Sequence, residues 1–417
     1  MSIQNSIKIY IYNKIDILTK KILHRCAVLG KKRTEARLNK GRARSLWGVT
    51  PILTLPLKAA CDELIGIKAR SWVLTTYGIS SNFHVNLKKF TQIIQKNQYL
   101  YQPYCRLVLA WCLLRYDIFH YFYDRGFLVP SNFFGVHIEE LEAIKLSGKR
   151  LYFYAYGADV RTRDKTLALG KWNFCISCPS PKSYCICDSQ QFDNVLEMMR
   201  PYTTAFVTMG DMDVYVPDSY KIQYWPINTN KIKYVGVNRT NSTLKIIHAP
   251  NHTHFKGSHF LEDAIHSLRL QGMNIEYIRL HGVSNAQVLK AFSEADLIAD
   301  QFIGGFYGYT ALEAMAFGKP VLSYIGEGMN VPEGCPIINT NPTTIETTLR
   351  WCIDNRDALI EIGEKSREFI INNYSLEAIA LQFSKLYLDT GCFPEKQTSI
   401  IKQYSHMLQN KLQTREI

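Results

Sequence analysis

The chain has 417 residues, 47% of them hydrophobic and 20% charged, and a formal net charge of +13. This composition excludes a disordered or fibrous protein, because it supplies enough apolar side chains for a sizeable core, and the length suffices for two or three domains. The charge is uneven. Residues 1–45 contain 12 Lys/Arg and 2 Asp/Glu, a net of +10, whereas the other 372 residues contain 37 basic and 34 acidic side chains, a net of +3.

A basic arm, residues 1–44, comes first in the chain. Its charge indicates contact with an anionic membrane surface or with nucleic acid, and a solvated, poorly ordered tail is the third interpretation. The apolar residues of "IKIYIYNKIDILTKKIL" allow an interfacial amphipathic helix. Because no RNA-binding signature occurs in the rest of the chain, we expect no nucleic acid partner.

The sequence carries no signal for export and no segment typical of a membrane span. The first residues lack a continuous apolar core followed by a small-residue cleavage site. The longest apolar run, "LVLAWCLL" at 107–114, is far too short to cross a bilayer. We therefore expect a cytoplasmic protein that is peripheral at the inner face of the cell membrane, with the basic arm as the attachment.

An N-terminal α/β domain is predicted over residues 45–225. Short apolar segments alternate there with helical patterns, which indicates a Rossmann-like parallel sheet. Strands are predicted at 45–52, 70–78, 117–124, 150–157 and 203–210, and helices at 84–96, 102–115 and 137–147.

Four cysteines cluster in an insertion of this domain, residues 172–188. The segment "CISCPSPKSYCIC" contains Cys175, Cys178, Cys185 and Cys187, and four thiolates at this spacing suit a structural zinc ion. Reduced free thiols and a redox pair are the alternatives. The other seven cysteines are scattered, and we expect them to be small buried hydrophobic residues rather than a disulfide framework.

A second α/β domain is predicted over residues 244–390, after a polar linker at 226–243 and before a C-terminal tail or helix at 391–417. Strands are predicted at 244–250, 275–282, 296–300 and 319–325, and helices at 257–272, 284–295, 342–354, 356–371 and 375–390, with a further helix after the glycine-rich segment 304–308. Two doubly wound domains then face a central cleft, and such sheets bind ligands at the carboxyl ends of their strands.

The segment "GGFYGYTALEAMAFGKPV" follows a predicted strand and opens a helix. Gly304, Gly305 and Gly308 allow a ligand to approach the backbone, and the N–H groups and dipole of a helix start attract anions. Glu313 lies one to two turns into that helix among apolar residues. A carboxylate at this position can accept hydrogen bonds from two ribose hydroxyls, and a buried Glu paired with a Lys is the alternative.

Lys256 and Gly257 lie at a second strand-to-helix turn of the same domain. A cation beside free N–H groups at a helix start suits a diphosphate, whereas an ordinary surface lysine is the alternative. Lys256 for the diphosphate and Glu313 for the ribose together predict a nucleoside diphosphate site.

These motifs resemble glycosyltransferase family 4 (group 1) of the GT-B superfamily. The residues that carry the resemblance are "HFKGSHFLEDAI", "AFSEADLIADQF" and "GFYGYTALEAMAFGKPVLSYI", within a region that matches well over 244–330 and loosely over 331–390. The resemblance implies that Lys256 holds the donor diphosphate and that Glu313 binds the donor ribose. The donor-binding residues that it implies are Lys256, Gly257, Asn251, Gly305, Gly308, Tyr309, Thr310, Glu313 and, at the first turn of the N-terminal domain, Gly48.

Two positions depart from the family pattern. Gly305 stands where the family has the first Glu of its acidic pair, the one that contacts the transferred sugar. Asn251 stands where the family has an Arg, and His252 or His254 is placed to share the role of that Arg.

The N-terminal half resembles the acceptor domain of the same family. "YAYGADVRTR" is similar to its Gly-x-Asp segment at the cleft, which implies a catalytic role for Asp159 beside Gly157 and acceptor or phosphate contacts for Arg161 and Arg163. "DIFHYFYD" implies a second catalytic candidate, His120. Surface charges for the two arginines and a core position for His120 are the alternatives.

The resemblance implies a hexosyltransferase-like enzyme that moves a sugar from a nucleotide-sugar donor to a glycan or lipid-linked acceptor. It further implies a retaining reaction without a catalytic metal, in the assembly of a bacterial surface polysaccharide such as O-antigen, capsule or lipopolysaccharide. A non-catalytic nucleotide-sugar-binding scaffold and a GT-B nucleotide-sugar epimerase are the alternatives. Gly305 favours the scaffold, and the epimerase would need a second carboxylate pair in the cleft.

Overall fold

The computed structural model describes residues 3–77, 82–130, 134–176, 178–238 and 243–414. In this part of the chain two parallel β-sheets, one of seven strands and one of five, form the centres of two α/β domains. The two doubly wound domains predicted from the alternating pattern are confirmed. The predictions that fall on residues 1–2, 78, 239–242 and 415–417 lie outside the described residues.

The N-terminal sheet has the strand order β3-β2-β1-β4-β5-β6-β7, with parallel pairing throughout. Its strands are β1 (Arg44–Val49), β2 (Lys68–Val73), β3 (Val85–Asn86), β4 (Ile118–Phe122), β5 (Arg150–Tyr154), β6 (Ala205–Thr208) and β7 (Tyr220–Lys221). The central strand β4 is buried along its whole length, as its continuous apolar sequence "IFHYF" predicts for a strand covered on both faces. The two-residue strands β3 and β7 were not predicted, because two residues carry no periodicity.

The helices before the linker are α1 (Ile3–Leu38), α2 (Leu55–Leu64), α3 (Lys88–Ile94), α4 (Gln98–Arg115), α5 (Ile138–Leu146), α6 (Arg163–Leu167) and α7 (Ser189–Met199). Several of them begin at side chains that satisfy the free N–H groups of the first turn. Asn97 caps α4 through the N–H of Tyr99, and Asp188 caps α7 through the N–H of Gln191.

The C-terminal sheet has the order β12-β11-β10-β8-β9 and is also parallel. Its strands are β8 (Leu244–His248), β9 (Ile275–Arg279), β10 (Leu297–Ala299), β11 (Val321–Ser323) and β12 (Ile338–Asn339). The helices after the linker are α8 (Thr253–Lys256), α9 (Ser258–Leu270), α10 (Asn285–Ser293), α11 (Tyr309–Ala316), α12 (Ile345–Asp354), α13 (Arg356–Asn373), α14 (Leu376–Asp389) and α15 (Glu395–Gln413). Strands β8 and β10 are adjacent, so the turns that follow them meet at one edge of the sheet.

The basic arm is a helix that packs on the N-terminal domain. One stripe of α1 is buried, with Leu23 and Ala27 in the domain core. Gly30 lies against α4, where a Cβ would come within 2.7 Å of the carbonyl oxygen of Leu113. The poorly ordered tail is therefore the wrong interpretation for the described part of the arm.

A buried ion pair fixes the end of α1 to the sheet. The guanidinium of Arg37 donates to both carboxylate oxygens of Asp117, with its shortest contact at 2.6 Å. Asp117 immediately precedes β4 and also accepts hydrogen bonds from Thr34 Oγ1 at 2.8 Å and from the N–H of Arg44 at 3.0 Å. Removing α1 would take Arg37 and Thr34 away from a fully buried carboxylate, which is costly for folding.

The last two helices pack on the N-terminal domain, although the sequence assigned 375–390 to the second domain. Tyr387 of α14 donates to Asp62 of α2 at 2.7 Å, and Phe383 stacks on Trp47 of β1. Gln397 of α15 accepts a hydrogen bond from the N–H of Ala43 at 2.9 Å. The helical pattern of 375–390 predicted the helix but not the domain that it contacts.

The predicted linker contains no helix or strand in its described part and packs on the C-terminal domain. The carbonyl of Pro226 accepts from Tyr309 of α11 at 2.8 Å. The N–H groups of Val235 and Gly236 both donate to the carbonyl of Phe317. These contacts hold the linker beside α11.

Lys58 of α2 is fully buried among aromatic rings. Its Nζ lies 4.8 Å from the ring centre of Phe122 and 5.0 Å from that of Tyr224, and no hydrogen-bond partner for it is found among the described residues. Burial lowers the pKa of Lys58 to about 7, against the opposing charge of Asp159. The folded protein therefore holds an amine that is largely uncharged above neutral pH.

We expect Lys58→Met to raise the free energy of unfolding at pH 7. Between pH 7 and 10.5 the unfolded chain binds a proton at this site that the folded chain does not, so this group makes stability rise with pH. Lowering the pKa of Lys58 from 10.5 to about 7 corresponds to on the order of 4 kcal/mol at pH 7, which sets the scale of the gain. Urea unfolding at pH 7 and pH 9 measures it.

The pH dependence contributed by Lys58 should disappear in the variant. Lys290→Met, on an exposed position of α10, is the matched control and should change neither stability nor its pH dependence. A Lys58→Met protein that is folded but less stable than the wild type, with the same difference between pH 7 and pH 9, would contradict the interpretation.

Candidate functional site

A cavity of about 560 Å³ lies between the two domains. It is lined mainly by aromatic side chains from both domains, with a small number of charged groups. Its walls include Tyr77, Tyr156, Ala158, Arg161, Phe174, Tyr184, Cys185, Asp211, Trp225, Asn251, His252, Phe255, Lys256, Gln301, Phe306, Tyr307 and Gly308. An apolar cavity with a few convergent polar groups is the usual form of a small-molecule site.

Lys256 lies at this cavity, where α8 ends after β8. Its Nζ is 2.6 Å from Asp300 Oδ1, and Asp300 is completely buried immediately after β10. The second oxygen of Asp300 accepts a hydrogen bond from the N–H of Gly308 at 2.6 Å. The structure therefore brings together the two turns that the sequence predicted, through a carboxylate that the sequence analysis did not single out.

Two glycines of the turn before α11 have different structural reasons: Gly308 leaves room for neighbouring side chains, and Gly305 adopts a left-handed backbone conformation. A Cβ at Gly308 would lie 2.9 Å from Lys256 Nζ and 3.2 Å from Asp300 Oδ1. Gly305 has a φ of +73°, and a Cβ there would meet no atom closer than 3.8 Å. Gly305 thus serves the turn conformation, and the sugar contact that the sequence resemblance implies for a glutamate at this position is not available to a residue without a side chain.

Glu313 lies on the second turn of α11 and has a neutral partner. Asn285, the first residue of α10, donates to Glu313 Oε1 at 3.1 Å. Within the described part of the chain no Lys or Arg forms an ion pair with it, so the alternative of a Glu–Lys pair is wrong. Burial raises the pKa of Glu313 to about 7, and the hydrogen bond from Asn285 opposes that shift.

The start of α11 is held against the linker. Tyr309 donates its hydroxyl to Pro226, and its ring meets that of Trp225 edge-on at 6.4 Å. Tyr309 and Thr310 are the first two helical residues, and both are partly exposed. Their backbone N–H groups belong to the first turn, which has no partners within the helix.

The turn after β8 presents histidines and one phenylalanine beside Lys256. Asn251 and His252 are exposed and line the cavity, and their donor-binding role stays a prediction. His254 packs on Phe255 with ring centres 4.1 Å apart, and burial lowers its pKa. Gly257, with a φ of +67°, provides the left-handed residue between α8 and α9.

Asp159 is buried beneath the cavity wall. Its Oδ1 accepts from the N–H groups of Tyr156 at 2.8 Å and Gly157 at 2.9 Å, and its Oδ2 accepts from the N–H of Tyr123 at 3.3 Å. Burial, with the nearby charge of Asp124, raises its pKa to about 7. These contacts tie the ends of β4 and β5 together, so the geometry favours a positioning role over the predicted catalytic one.

Arg161 reaches the cavity and is paired there. It donates to Asp211 Oδ2 at 2.5 Å and lies over the ring of Phe174, 4.3 Å from its centre. Burial alone would lower the pKa of Arg161, but the carboxylate of Asp211 raises it. Arg163 is exposed and is not among the residues that line the cavity, which leaves only Arg161 in the predicted acceptor position.

His120 and Gly48 lie in the core of the N-terminal domain. The ring of His120 stacks on Trp47 at 3.8 Å, and its Nε2 is 3.0 Å from the hydroxyl of Tyr387. Burial lowers the pKa of His120 far below its usual range. At Gly48 a Cβ would approach the carbonyl oxygen of Trp72 to 2.5 Å. Both residues therefore have packing roles, and their predicted catalytic and sugar-binding roles are not favoured.

Sequence reasoning missed the acidic partners of both cationic residues. Asp300 directly follows β10, "LIA", and Asp211 comes three residues after the end of β6, so both lie beyond the carboxyl end of a strand, where ligand-facing side chains collect. That position is the signal that could have identified them. Phe306 and Tyr307 of the glycine segment also line the cavity, although their aromatic character alone did not distinguish them from core residues.

The cysteine insertion, residues 172–188, contributes Phe174, Tyr184 and Cys185 to the edge of the cavity in its described part. Its end is bonded to the Asp159 loop, because Cys187 exchanges backbone hydrogen bonds with Arg161 and Arg163. Its middle contacts the turn after β8, where the ring centres of Tyr184 and Phe255 are 5.1 Å apart. The insertion thus connects the two turns that flank the cavity.

Two of the four clustered thiols are close together. Cys185 Sγ and Cys187 Sγ are 3.5 Å apart, near the edge length of about 3.8 Å in a tetrahedron of thiolates at 2.3 Å from zinc. Burial and the neighbouring thiols raise the pKa of Cys175. Among the residues that the structure describes, no group of three ligating side chains is arranged around a metal position. The zinc assignment to Cys175, Cys178, Cys185 and Cys187 stays a prediction.

Solved structures with a similar fold place the two domains in a known architecture. Sucrose-phosphate synthase from Thermosynechococcus elongatus is 11% identical, with a TM-score of 0.51 over 84% of this chain and 98% of that one. The catalytic domain of starch synthase IV from Arabidopsis thaliana, bound to ADP and acarbose, is 11% identical, with a TM-score of 0.53 over 84% of this chain and 99% of that one. This chain has the GT-B fold.

These comparisons establish the GT-B fold of the chain and no narrower classification. No protein-family model matches the chain. A search of curated proteins likewise finds no match. The fold class expected from the resemblance is confirmed, and the membership of family 4 stays an expectation.

We propose that the cysteine insertion binds about one zinc ion per chain. The expected result is zinc in the purified wild-type protein and its loss in Cys178→Ser/Cys185→Ser, measured by elemental analysis of protein prepared without chelators. Cys26→Ser/Cys335→Ser, at two half-buried cysteines outside the insertion, is the matched control and should retain the metal. Equal, near-zero zinc in the wild type and the cluster variant would leave only reduced thiols.

Proposed function

We propose that the protein is a glycosyltransferase that uses a nucleotide-sugar donor and a glycan or lipid-linked acceptor. The observation that carries this proposal is the convergence of the Lys256 turn and the α11 turn at one cavity between two GT-B domains. The fold neighbours support the same class, since they are GT-B glycosyltransferases and one of them was solved with ADP bound.

The donor side of the cavity supplies complementary groups for a nucleoside diphosphate. Lys256 and the first N–H groups of α11 are suited to the diphosphate, because a cation and a helix start both attract anions. Glu313 lies on the second turn of α11 and is not among the residues that line the cavity, so its proposed role is to accept hydrogen bonds from two ribose hydroxyls of a nucleotide that extends along α11 beyond those residues. The aromatic walls, including Trp225 and Tyr307, form the apolar part of the site.

The chemistry that we propose depends on electrostatics and positioning. Sugar transfer requires the departing diphosphate to be stabilised as its negative charge grows, and Lys256 with the N–H groups of α11 performs that role. Holding donor and acceptor together supplies much of the remaining rate. A retaining reaction without a catalytic metal is the expected form, and anomeric analysis of the product by NMR tests it.

Two other functions remain distinct candidates for the same cavity. Gly305, in place of the family's sugar-contacting Glu, favours a scaffold that binds a nucleotide-sugar without transfer. An epimerase on the same fold would release a sugar isomer, and its reaction would not require an acceptor.

A thermal-shift screen with UDP-, GDP-, ADP- and CMP-sugars identifies the donor. Incubation of that donor with and without acceptor oligosaccharides then separates transfer, binding alone and epimerisation.

The acceptor that we propose is part of a bacterial surface polysaccharide, O-antigen, capsule or lipopolysaccharide. This assignment depends on the sequence resemblance. Oligosaccharides from each of the three polymers, offered with the identified donor, test it by mass spectrometry of the product.

The outer face of α1 supports an additional proposal, attachment to an anionic membrane surface. Lys14, Leu18, Lys21, Arg25 and Val28 recur at helical spacing opposite the buried stripe, and all five are exposed. Basic and apolar residues on one exposed helix face suit an anionic interface. No helix in the described ranges is long and apolar enough to cross a bilayer.

We expect Glu313→Ala to weaken binding of the donor nucleotide about 10- to 100-fold with the fold intact. The loss of charge-assisted hydroxyl contacts costs about 1.5–3 kcal/mol. Wild-type affinity should also fall as pH drops below about 7, because protonation removes the charge of the accepting carboxylate, and the variant should lack this dependence. Titration calorimetry at pH 6 and pH 8 measures both effects.

Glu361→Ala, at an exposed position of α13, is the control for the loss of a carboxylate in the same domain and should bind the nucleotide normally. Unchanged affinity in a folded Glu313→Ala protein would remove the ribose role from this residue.

We expect Lys14→Glu/Lys21→Glu/Arg25→Glu to lose co-sedimentation with vesicles that contain anionic phospholipid. Each basic residue at such a surface contributes about 1 kcal/mol, so reversal of three should weaken partition at least about 100-fold. Wild-type sedimentation should decline with added salt. These substitutions spare the buried stripe, which truncation of α1 would not.

Lys290→Glu/Lys365→Glu/Lys402→Glu changes net charge equally at exposed positions elsewhere and should sediment as the wild type does. If the α1 variant and this control both sediment like the wild type, α1 is not the membrane-binding element.

A further inference from the structure

Both Lys/Arg side chains that line the cavity are neutralised by carboxylates within the described residues. Lys256 is paired with Asp300 at 2.6 Å, and Arg161 is paired with Asp211 at 2.5 Å. A site for a diphosphate would ordinarily present unpaired positive charge. Here the carboxylate of Asp300 lies beside Lys256, the residue that we propose binds the diphosphate.

Asp300 is bonded to both kinds of group that would bind a diphosphate, an ammonium group and a backbone N–H at a helix start. One oxygen is bonded to the ammonium of Lys256, and the other accepts from the N–H of Gly308, the N-cap residue of α11. A cation and a backbone N–H at a helix start are the recurring ligands of bound phosphate. Asp300 therefore holds, inside the protein, the interactions that an anionic ligand would make.

The turn is built around this arrangement. The side chain of Asp300 has no exposed surface, whereas that of Lys256 retains 18% of its exposure and faces the cavity. Gly308 leaves room for the pair, since a Cβ would press on both Lys256 Nζ and the carboxylate of Asp300. Lys256 can thus turn toward a ligand in the cavity, while Asp300 stays in place.

We propose that Asp300 is an internal counter-anion that competes with the nucleotide diphosphate for Lys256 and the start of α11. This inference rests on the proposed function. A fixed carboxylate beside Lys256 reduces the attraction for the diphosphate of the spent nucleotide. It acts on product and donor alike, and its consequence is fast release of the nucleoside diphosphate after transfer. Asp300 is a positioning residue in this role, since it acts through Lys256.

The test is Asp300→Asn in the full-length chain, with UDP, GDP, ADP and CDP as probes. Asparagine keeps an acceptor for the N–H of Gly308 and removes the charge. The expected result is about tenfold tighter binding of the preferred nucleoside diphosphate, the effect of one unit charge a few ångströms away in a partly solvated site. Its dissociation should be slower, and the salt dependence of binding should be steeper. The corresponding nucleoside, which lacks phosphate, should bind wild type and variant equally.

Asp263→Asn, an exposed position on α9, changes net charge equally and should leave nucleotide affinity unchanged. Asp300→Ser is the second variant if the amide does not fold, since its hydroxyl also accepts from an N–H, and the same tightening is expected. Unchanged or weaker diphosphate binding in a folded variant would overturn the inference and leave the proposed function standing. Absence of nucleotide binding in the wild type as well would overturn both.

Discussion

The architecture depends on a buried hydrogen-bond network where the end of the chain returns to the first domain. Tyr387 of α14 donates to Asp62 at 2.7 Å, and the indole of Trp47 donates to the same carboxylate at 2.8 Å. Burial raises the pKa of Asp62 to about 6, while these hydrogen bonds oppose the shift. Because α14 follows the second domain in sequence and packs on the first, this network ties the end of the second domain to the core of the first.

The cavity between the two domains combines aromatic walls with compensated charges. Arg161 and Lys256 come from different domains, and each is held by a buried or nearly buried carboxylate after a strand. Such pairing orients the cationic groups without leaving a strong positive field for inorganic anions. A ligand that fits must offer more than charge, and a nucleotide-sugar supplies hydroxyls and apolar ring faces as well. A Cβ at Gly308 would lie 2.9 Å from Lys256 Nζ and 3.2 Å from Asp300 Oδ1, so a side chain there would displace the ammonium group from this pairing.

The first helix links charge distribution to architecture. Its inner stripe contributes to the core of the N-terminal domain, and Arg37 neutralises the buried Asp117 before the central strand. Its outer face carries exposed basic residues, among them Lys14, Lys21 and Arg25. One helix therefore serves folding through one side and presents a basic, partly apolar surface through the other. A charge count cannot separate these two roles, because the same residue types occur on both sides.

The fold class, the alternation of strands and helices and the two glycine-containing turns after β8 and β10 follow from the amino-acid sequence. The period of apolar residues reports local structure directly, and the glycines near Lys256 and Glu313 mark turns whose conformation is local. The packing of α14 on the first domain, the core position of His120 and the pairing of Asp300 with Lys256 follow from the three-dimensional structure alone. Each of these depends on contacts between segments far apart in the chain or on burial. A pattern of residues along the chain shows neither which segments come into contact nor how deeply a side chain is buried.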